Sequence, residues 1–153
     1  MALTVAVSAQ ASLPGLSGSA VNLDAQRGKV VILALGASWL PLSGKQAEYT
    51  NMLAKRYAGK NVVTYFVATD STNAKSKNFA TNQDLDKFVA GSKLTVPVLR
   101  DSDGAVTLKK YNVDQLPSFV ILDKEGNVAG TFGGIDPKFD VTVPISKAVD
   151  KLL

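Results

Sequence analysis

The side chains available for catalysis in this chain are carboxylates, amines, hydroxyls and phenols, because its 153 residues include no cysteine and no histidine. Disulfide bonds, thiolate nucleophiles and metal sites built on Cys or His are therefore excluded. The same absence excludes the Ser-His and Cys-His pairs that activate a nucleophile. Any reaction would have to rest on Asp, Glu, Lys, Tyr or Ser alone.

Three groupings of polar residues come closest to a reactive site, and each has a plainer interpretation. Ser43 and Lys45 lie two residues apart, and on a helix such positions do not face each other, so they form no Ser-Lys dyad. Residues 101–104 (Asp-Ser-Asp-Gly) resemble the start of a calcium loop, but the glycine comes too early and no downstream Glu completes the ligands. Asp70 follows a predicted strand without a partner. We predict no catalytic residues, metal site or cofactor.

The elements that position these residues are indicated by continuous apolar runs. Buried strands are predicted at Lys29–Leu35, Val62–Ala68 and Ser118–Leu122. A helix is predicted after the first strand, with Pro41 in its first turn and Gly59 at its end. Early strands separated by helices imply parallel pairing. A late hairpin, in which Val128–Phe132 returns after a turn at residues 124–127, implies antiparallel pairing. This order favours one mixed sheet with helices on both faces.

Shorter elements complete the predicted order. A hairpin is predicted within Leu16–Leu23, and Val96–Leu99 is predicted as an edge strand because it contains proline. Thr81 and Asp84 have the spacing of a capping box at the start of a second helix. The last helix is predicted from about Val143 to Leu153, with the preceding threonine as its cap.

The N-terminal segment and the charge bear on location and partners. Residues 1–12 are interpreted as an extension before a single domain at 13–153, either a signal-peptide remnant or disordered. Ala9-Gln10-Ala11 resembles a signal-peptidase site, and cleavage there would indicate export to the periplasm. Otherwise the chain would be cytoplasmic, and both locations stay open. No apolar run has the length of a membrane span. The net charge is +4 with scattered basic residues, which favours neither nucleic acid nor membrane insertion.

From Leu13 onward the chain resembles the thioredoxin-like proteins, in particular the exported thiol-disulfide oxidoreductases and redoxins. The segments that carry the resemblance are Leu13–Leu23, Gly28–Leu33, Ala37–Ser43 and Val113–Gly126. The resemblance implies an α/β thioredoxin-like fold, with a mixed central sheet flanked by helices and an N-terminal β-hairpin. It also implies that the bond between Leu116 and Pro117 is cis.

The active-site pattern of that family, Trp-Cys-x-x-Cys, is altered here. Leu40 and Ser43 occupy the two cysteine positions. In the family the first cysteine attacks a substrate disulfide, and the helix N-terminus stabilises its thiolate. Leu40 has no nucleophilic atom, and the hydroxyl of Ser43 is far more basic than a thiol and has no histidine to activate it. The resemblance therefore implies the fold but not thiol-disulfide or peroxidase activity.

Binding of a protein or an extended peptide is the leading functional prediction. The resemblance implies that the backbone beside the cis-proline pairs with an extended chain, which requires no cysteine. The predicted binding residues are Trp39, Leu40, Pro41, Leu42, Ser43, Leu116 and Pro117. Residues 40–42 are interpreted either as an exposed apolar tip or as a locally packed patch. If the tip is exposed, Leu40→Asp leaves stability nearly unchanged.

Two other interpretations stay open. In the first, the chain is an enzyme that uses non-thiol chemistry on the same scaffold, since a fold does not fix a function. Alternatively, it is an oxidoreductase in which both cysteines were replaced. Serine is a common engineered replacement for cysteine, as at Ser43, but leucine, as at Leu40, is not.

Overall fold

Seven strands and four α-helices make up residues 12–153, the part of the chain that the computed structural model describes. The strands are β1 (Ser12–Leu13), β2 (Val21–Asn22), β3 (Val30–Gly36), β4 (Val62–Ala68), β5 (Val98–Arg100), β6 (Ser118–Leu122) and β7 (Val128–Gly133). The α-helices are α1 (Ser43–Arg56), α2 (Asn82–Ser92), α3 (Thr107–Lys110) and α4 (Thr142–Asp150). Short 3-10 helices span Leu23–Gln26 and Ser102–Gly104.

The predicted mixed sheet is present and has the order β5-β4-β3-β6-β7. The pairs β3–β4 and β4–β5 are parallel, whereas β3–β6 and β6–β7 are antiparallel. Strands β1 and β2 form a separate antiparallel pair. The mixed sheet and the N-terminal antiparallel pair therefore agree with the prediction.

Strand β3 is buried along its whole length because both faces of the sheet are covered. Ile32 points into an apolar cluster that includes Leu53 of α1 and Ile145 of α4. Its neighbour Leu33 points into a second cluster, which includes Tyr111, on the opposite face. The alternation of side chains along one strand thus supplies both cores.

The two paired N-terminal strands, β1 and β2, are further apart in sequence than the predicted hairpin. Ser12 pairs with Asn22, and the intervening chain turns toward the edge of the sheet, where the N–H of Leu16 donates to the carbonyl of Val98 at 2.8 Å. Ser12, assigned to the extension from the sequence, is thus the first residue of β1. The remainder of the extension, with Ala9-Gln10-Ala11, lies outside the described residues.

The last helix differs from its prediction at both ends, because it begins at Thr142 and stops at Asp150. Thr142 is the first helical residue rather than the cap. Its N–H and hydroxyl both donate to the Asp140 carboxylate, at 2.9 and 2.6 Å. Within residues 12–153, none of the helices has the length and apolar character needed to span a membrane.

The capping box predicted for α2 is confirmed. The N–H of Asp84 donates to the Thr81 hydroxyl at 3.0 Å, and the N–H of Thr81 donates to the Asp84 carboxylate at 2.9 Å. The bond from the Thr81 backbone is the main reason that the pKa of Asp84 lies below its ordinary 3.8. A carboxyl whose folded pKa is depressed stabilises the fold above its unfolded pKa and loses that effect as pH falls through the folded pKa.

We therefore expect Asp84→Ala to lower the urea midpoint at neutral pH, and to lower it progressively less as the pH falls below about 3.8. Urea denaturation followed by circular dichroism over a pH series measures this difference. Asp86→Ala is the matched control, because it removes the same charge from an exposed position of the same helix outside the cap. A deficit for Asp84→Ala that does not change with pH would contradict this account of the carboxylate.

Candidate functional site

The two segments predicted to form the site meet at one end of the sheet. Residues 37–42 leave the carboxyl end of β3, and Pro117 directly precedes β6. In the β3–β6 register Leu35 lies opposite Ser118, so the loop after β3 lies next to Pro117. The Leu116–Pro117 bond is cis, as the resemblance implied.

The apolar residues of the loop are not all exposed. Trp39 is 51% exposed and Pro41 is also exposed, whereas Leu40 is only 9% exposed. Leu42 is half-buried and packs against the cluster on the α1 side of the sheet. The interpretation of residues 40–42 as a continuous exposed tip is therefore wrong at Leu40. Two tight turns flank this residue: the N–H of Leu40 donates to the carbonyl of Ala37 at 3.3 Å, and the carbonyl of Leu40 accepts from the N–H of Ser43 at 3.1 Å.

Ser43 and Lys45 are not brought together, in agreement with the rejection of a dyad. The Ser43 hydroxyl is buried and donates to the carbonyl of Ser38 at 3.3 Å. The ammonium of Lys45 instead pairs with Glu48 at 3.3 Å. Ser43 therefore has no base to activate it, and its hydroxyl stabilises the turn before α1.

A pair that the sequence did not reveal holds the start of the loop. The buried Asp70 carboxylate accepts from the backbone N–H of Ser38 at 3.1 Å and from its hydroxyl at 2.6 Å. The two residues are 32 positions apart, so local spacing carried no signal for this contact. The interaction anchors residues 37–42 to the end of β4.

Gln46 is the second residue that sequence analysis missed. Its side chain is fully buried, and its amide donates to the carbonyls of Leu35 at 3.0 Å and Ser118 at 3.2 Å. It therefore ties α1 to both strands beneath the site. A Cβ on Gly36 would lie 2.1 Å from Oε1 of Gln46, so only glycine fits there without a shift. The one sequence signal for the role of Gln46 is that a polar residue stands at the fourth position of an amphipathic helix.

The backbone of Leu116 has no hydrogen-bond partner among the described residues. Within residues 12–153 the structure gives no hydrogen bond for either the N–H or the C=O of Leu116. The carbonyl of Pro117, in contrast, accepts from the N–H of Gly134 at 2.8 Å. The carbonyl of Pro117 is thus bonded within the fold, whereas the N–H and C=O of Leu116 are not.

An apolar groove of about 420 Å³ adjoins this backbone and was not predicted. Phe132, Ile135 and Phe139 line it, and the ring of Phe139 is exposed. Gly134 also lines the groove, and its bond to Pro117 places the groove beside the proline. These residues come after β6 in sequence, so only the pairing of β7 with β6 brings them to the site.

The polar turn at residues 101–104 has a structural role. The Asp101 carboxylate accepts from the N–H of Val106 at 3.1 Å, and from the N–H and hydroxyl of Thr107 at 2.7 and 2.6 Å. Asp101 therefore caps the start of α3. Across residues 12–153, no three Asp or Glu side chains come together in a way that would hold a metal ion.

The burial of Leu40 predicts a loss of stability for Leu40→Asp. A carboxylate placed at a buried position without a partner should lower the free energy of unfolding by about 2 kcal/mol or more. Trp39→Asp introduces the same charge at the exposed neighbour and should cost less than about 1 kcal/mol. Urea denaturation of both variants measures the difference. Equal stability of Leu40→Asp and the wild type would restore the exposed-tip interpretation.

Known proteins resemble this chain in sequence over most of its length. The family model for Redoxin matches residues 5–149. Thiol-disulfide oxidoreductase ResA of Bacillus thuringiensis subsp. konkukian is 32% identical over 123 residues, which cover 80% of this chain and 65% of ResA. Thioredoxin-like protein YneN of Bacillus subtilis is 32% identical over 115 residues, or 75% of this chain and 62% of YneN. The chain thus spans somewhat less than two thirds of the length of these relatives.

Solved structures share the fold. The pneumococcal exposed lipoprotein thioredoxin Etrx1 of Streptococcus pneumoniae is 27% identical, with a TM-score of 0.66 over 91% of this chain and 99% of Etrx1. A secreted disulfide oxidoreductase of Mycobacterium tuberculosis, homologous to E. coli DsbE, has a TM-score of 0.72 at 22% identity, over 94% and 96% of the two chains. The predicted thioredoxin-like fold is confirmed, and the chain belongs to the redoxin family.

Proposed function

We propose that this chain is a redox-inactive redoxin that binds an extended peptide or protein segment through its former active-site surface. We define the peptide surface as Trp39, Pro41, Leu116 and Pro117 together with the adjoining groove. The observation that carries the proposal is the backbone of Leu116, which has no hydrogen-bond partner within residues 12–153, together with an exposed tryptophan on the adjacent loop and an apolar groove next to Pro117. Strand addition needs such unpaired main-chain groups, and neighbouring pockets supply side-chain specificity.

The residues at the two cysteine positions support the absence of redox chemistry. Relatives are named thiol-disulfide oxidoreductases, and that chemistry requires a thiolate that attacks a disulfide. Leu40 is buried and has no nucleophilic atom, and the hydroxyl of Ser43 donates to a backbone carbonyl. Neither group can form the mixed disulfide through which exchange proceeds.

The chemistry of the surface favours, as the partner, an extended segment with an apolar side chain. The N–H and C=O of Leu116 would form the main-chain bonds, and Trp39 would cover the bound segment from the loop side. An apolar side chain would enter the groove lined by Phe132, Ile135 and Phe139. Leu40 is buried and the Ser43 hydroxyl is bonded to the carbonyl of Ser38, so neither is assigned a direct contact.

Binding of a capped pentapeptide with a central phenylalanine, Ac-Gly-Val-Phe-Val-Gly-NH2, tests the proposal by NMR. We expect a saturable shift of the Leu116 amide resonance and slower hydrogen exchange of that amide. Trp39→Ser should weaken the affinity by about tenfold, since an exposed aromatic anchor is lost. Met52→Ser is the matched control, because Met52 is an exposed large apolar side chain on α1 outside the peptide surface.

Saturable binding that shifts other amides but leaves that of Leu116 unchanged would contradict the proposed surface. Equal loss of affinity in Trp39→Ser and Met52→Ser would show nonspecific apolar contact instead. A peptide with an N-methylated phenylalanine at its centre should bind more weakly, because it keeps the apolar side chain but lacks the main-chain N–H that strand addition uses.

Restoring both cysteines tests the assignment of redox inactivity. The wild type should show no thiol-dependent reduction of insulin disulfides, and Leu40→Cys combined with Ser43→Cys should gain measurable activity. Because these positions precede and begin α1, we expect a cysteine pKa below the ordinary value of about 8.5. Met52→Cys, on the outside of the same helix, provides the reference thiol. Turnover by the wild type would overturn redox inactivity, and ordinary thiols in the double variant would show that the helix start has lost its effect.

A further inference from the structure

Arg100, the last residue of β5, is a buried cation that has no carboxylate partner within residues 12–153. It is only 9% exposed. Its Nη1 donates to the side chain of Asn82 at 2.9 Å, and Nη2 donates to the carbonyl of Ala80 at 2.8 Å. Nη2 also lies 3.3 Å from the carbonyls of Asp70 and Ser71. All of these acceptors are neutral, whereas a buried charge is normally paired.

The same guanidinium has an unused donor. Its Nε is shielded from water and has no hydrogen-bond partner. Unsatisfied buried donors are rare in folded proteins, and each calls for a specific explanation. A guanidinium with a free N–H and no counter-charge has the chemistry of a site for a carboxylate or another oxyanion.

A pocket of about 700 Å³ lies at this position. Three segments form it: residues 12–14, parts of 72–82 and parts of 100–106. Arg100 lines the pocket, as do Ala80 and Asn82, the two residues that its guanidinium holds on the α2 side. Ligand pockets of this size bury a small molecule and combine apolar walls with a few placed polar groups.

The rest of the wall is largely apolar. Leu13, Pro14, Phe79 and Val106 line it, and Phe79 is 39% exposed, as expected for a side chain at the rim of a binding site. Arg100 is the only cation among the described residues that line the pocket, and the Asp101 carboxylate, which also lines it, is held by the N–H groups of Val106 and Thr107. Apolar walls around such a cation favour a ligand with one negative group and an apolar body. They disfavour inorganic phosphate and polyanions, which lack an apolar body and carry more charge than one guanidinium balances.

The neighbouring acidic groups are engaged elsewhere. The Asp101 carboxylate caps α3, as described above. The Asp103 carboxylate accepts from the hydroxyls of Ser71 at 3.3 Å and Ser102 at 3.2 Å. The Asp84 carboxylate belongs to the capping box of α2. None of them forms an ion pair with Arg100 within residues 12–153, so the guanidinium has no counter-charge in direct contact there.

We propose that this pocket binds a small organic monocarboxylate with an apolar body, with the carboxylate on the Arg100 guanidinium and the body against Phe79. The proposal is independent of peptide binding, since none of the residues of the peptide surface lines this pocket. Such a carboxylate has two sources, a free organic acid and the C-terminus of a peptide. Both present the same group to the guanidinium.

NMR titration of the intact chain with phenylacetate and with N-acetylphenylalanine tests the proposal and separates the two sources. We expect at least one of them to bind saturably and to shift the Arg100 Nε–H resonance together with the Asn82 amide. The neutral amides of both probes should bind more weakly by about tenfold or more, since a charge-assisted hydrogen bond is lost. Binding of phenylacetate alone supports a free acid, and binding of N-acetylphenylalanine alone supports a chain terminus.

Arg100→Gln should abolish the preference for the acid over the amide, while Arg56→Gln, at an exposed arginine on α1, should retain it. Phe79→Ala should weaken the acid and the amide alike, and it tests the pocket without altering the guanidinium if Arg100→Gln does not fold. Failure of both acids to bind, equal binding of acids and amides, or shifts confined to surface lysines would each overturn the proposal.

Discussion

The pairing of β3 with β6 is the constraint on which the proposed peptide surface depends. It places Leu35 opposite Ser118, and therefore brings the loop that leaves β3 beside the segment that enters β6. Gln46 then ties α1 to the ends of both strands. Because β3 is buried on both faces, its register cannot slip by one residue without exchanging the two cores. The relative position of Trp39 and Leu116 is thus set by the core rather than by the loop itself.

Buried polar contacts hold the loops at this end of the sheet in a chain that has no disulfide. The Asp70 carboxylate holds Ser38 through its backbone and hydroxyl. Arg100 holds the carbonyl groups of the segment from Asp70 to Ala80. Hydrogen bonds of this kind are worth more when an ionised group takes part, and leaving such a group without its partners is costly. Asp70 takes part in both sets of contacts, because its carboxylate binds Ser38 and its carbonyl accepts from Arg100. It therefore links the loop after β3 to the pocket beside β5.

Leu40 and Ser43, which the resemblance places at the two cysteine positions, fit the structure differently. Leu40 fills a buried position with an apolar side chain, which stabilises the fold by the surface that it removes from water. Ser43 satisfies its hydroxyl on the carbonyl of Ser38 at the start of α1. Both residues thus serve packing and turn geometry. Under the proposed function, the surface retains the unpaired backbone of Leu116 and loses only the groups that exchange disulfides.

The sequence by itself determined the strands of the mixed sheet, the sheet class, the capping box at Thr81 and Asp84, and the exclusion of thiol chemistry, because apolar periodicity, capping spacing and composition are local properties. It placed the N-terminal strand pair too close together, since Ser12 of β1 pairs with Asn22. It did not determine the inward turn of Leu40, which depends on backbone bonds to Ala37 and Ser43. Nor did it indicate the Ser38–Asp70 contact or the pocket around Arg100. These features join side chains that are distant along the chain, and only the packing of strands and loops in three dimensions decides which polar groups are paired, which are buried and which remain free.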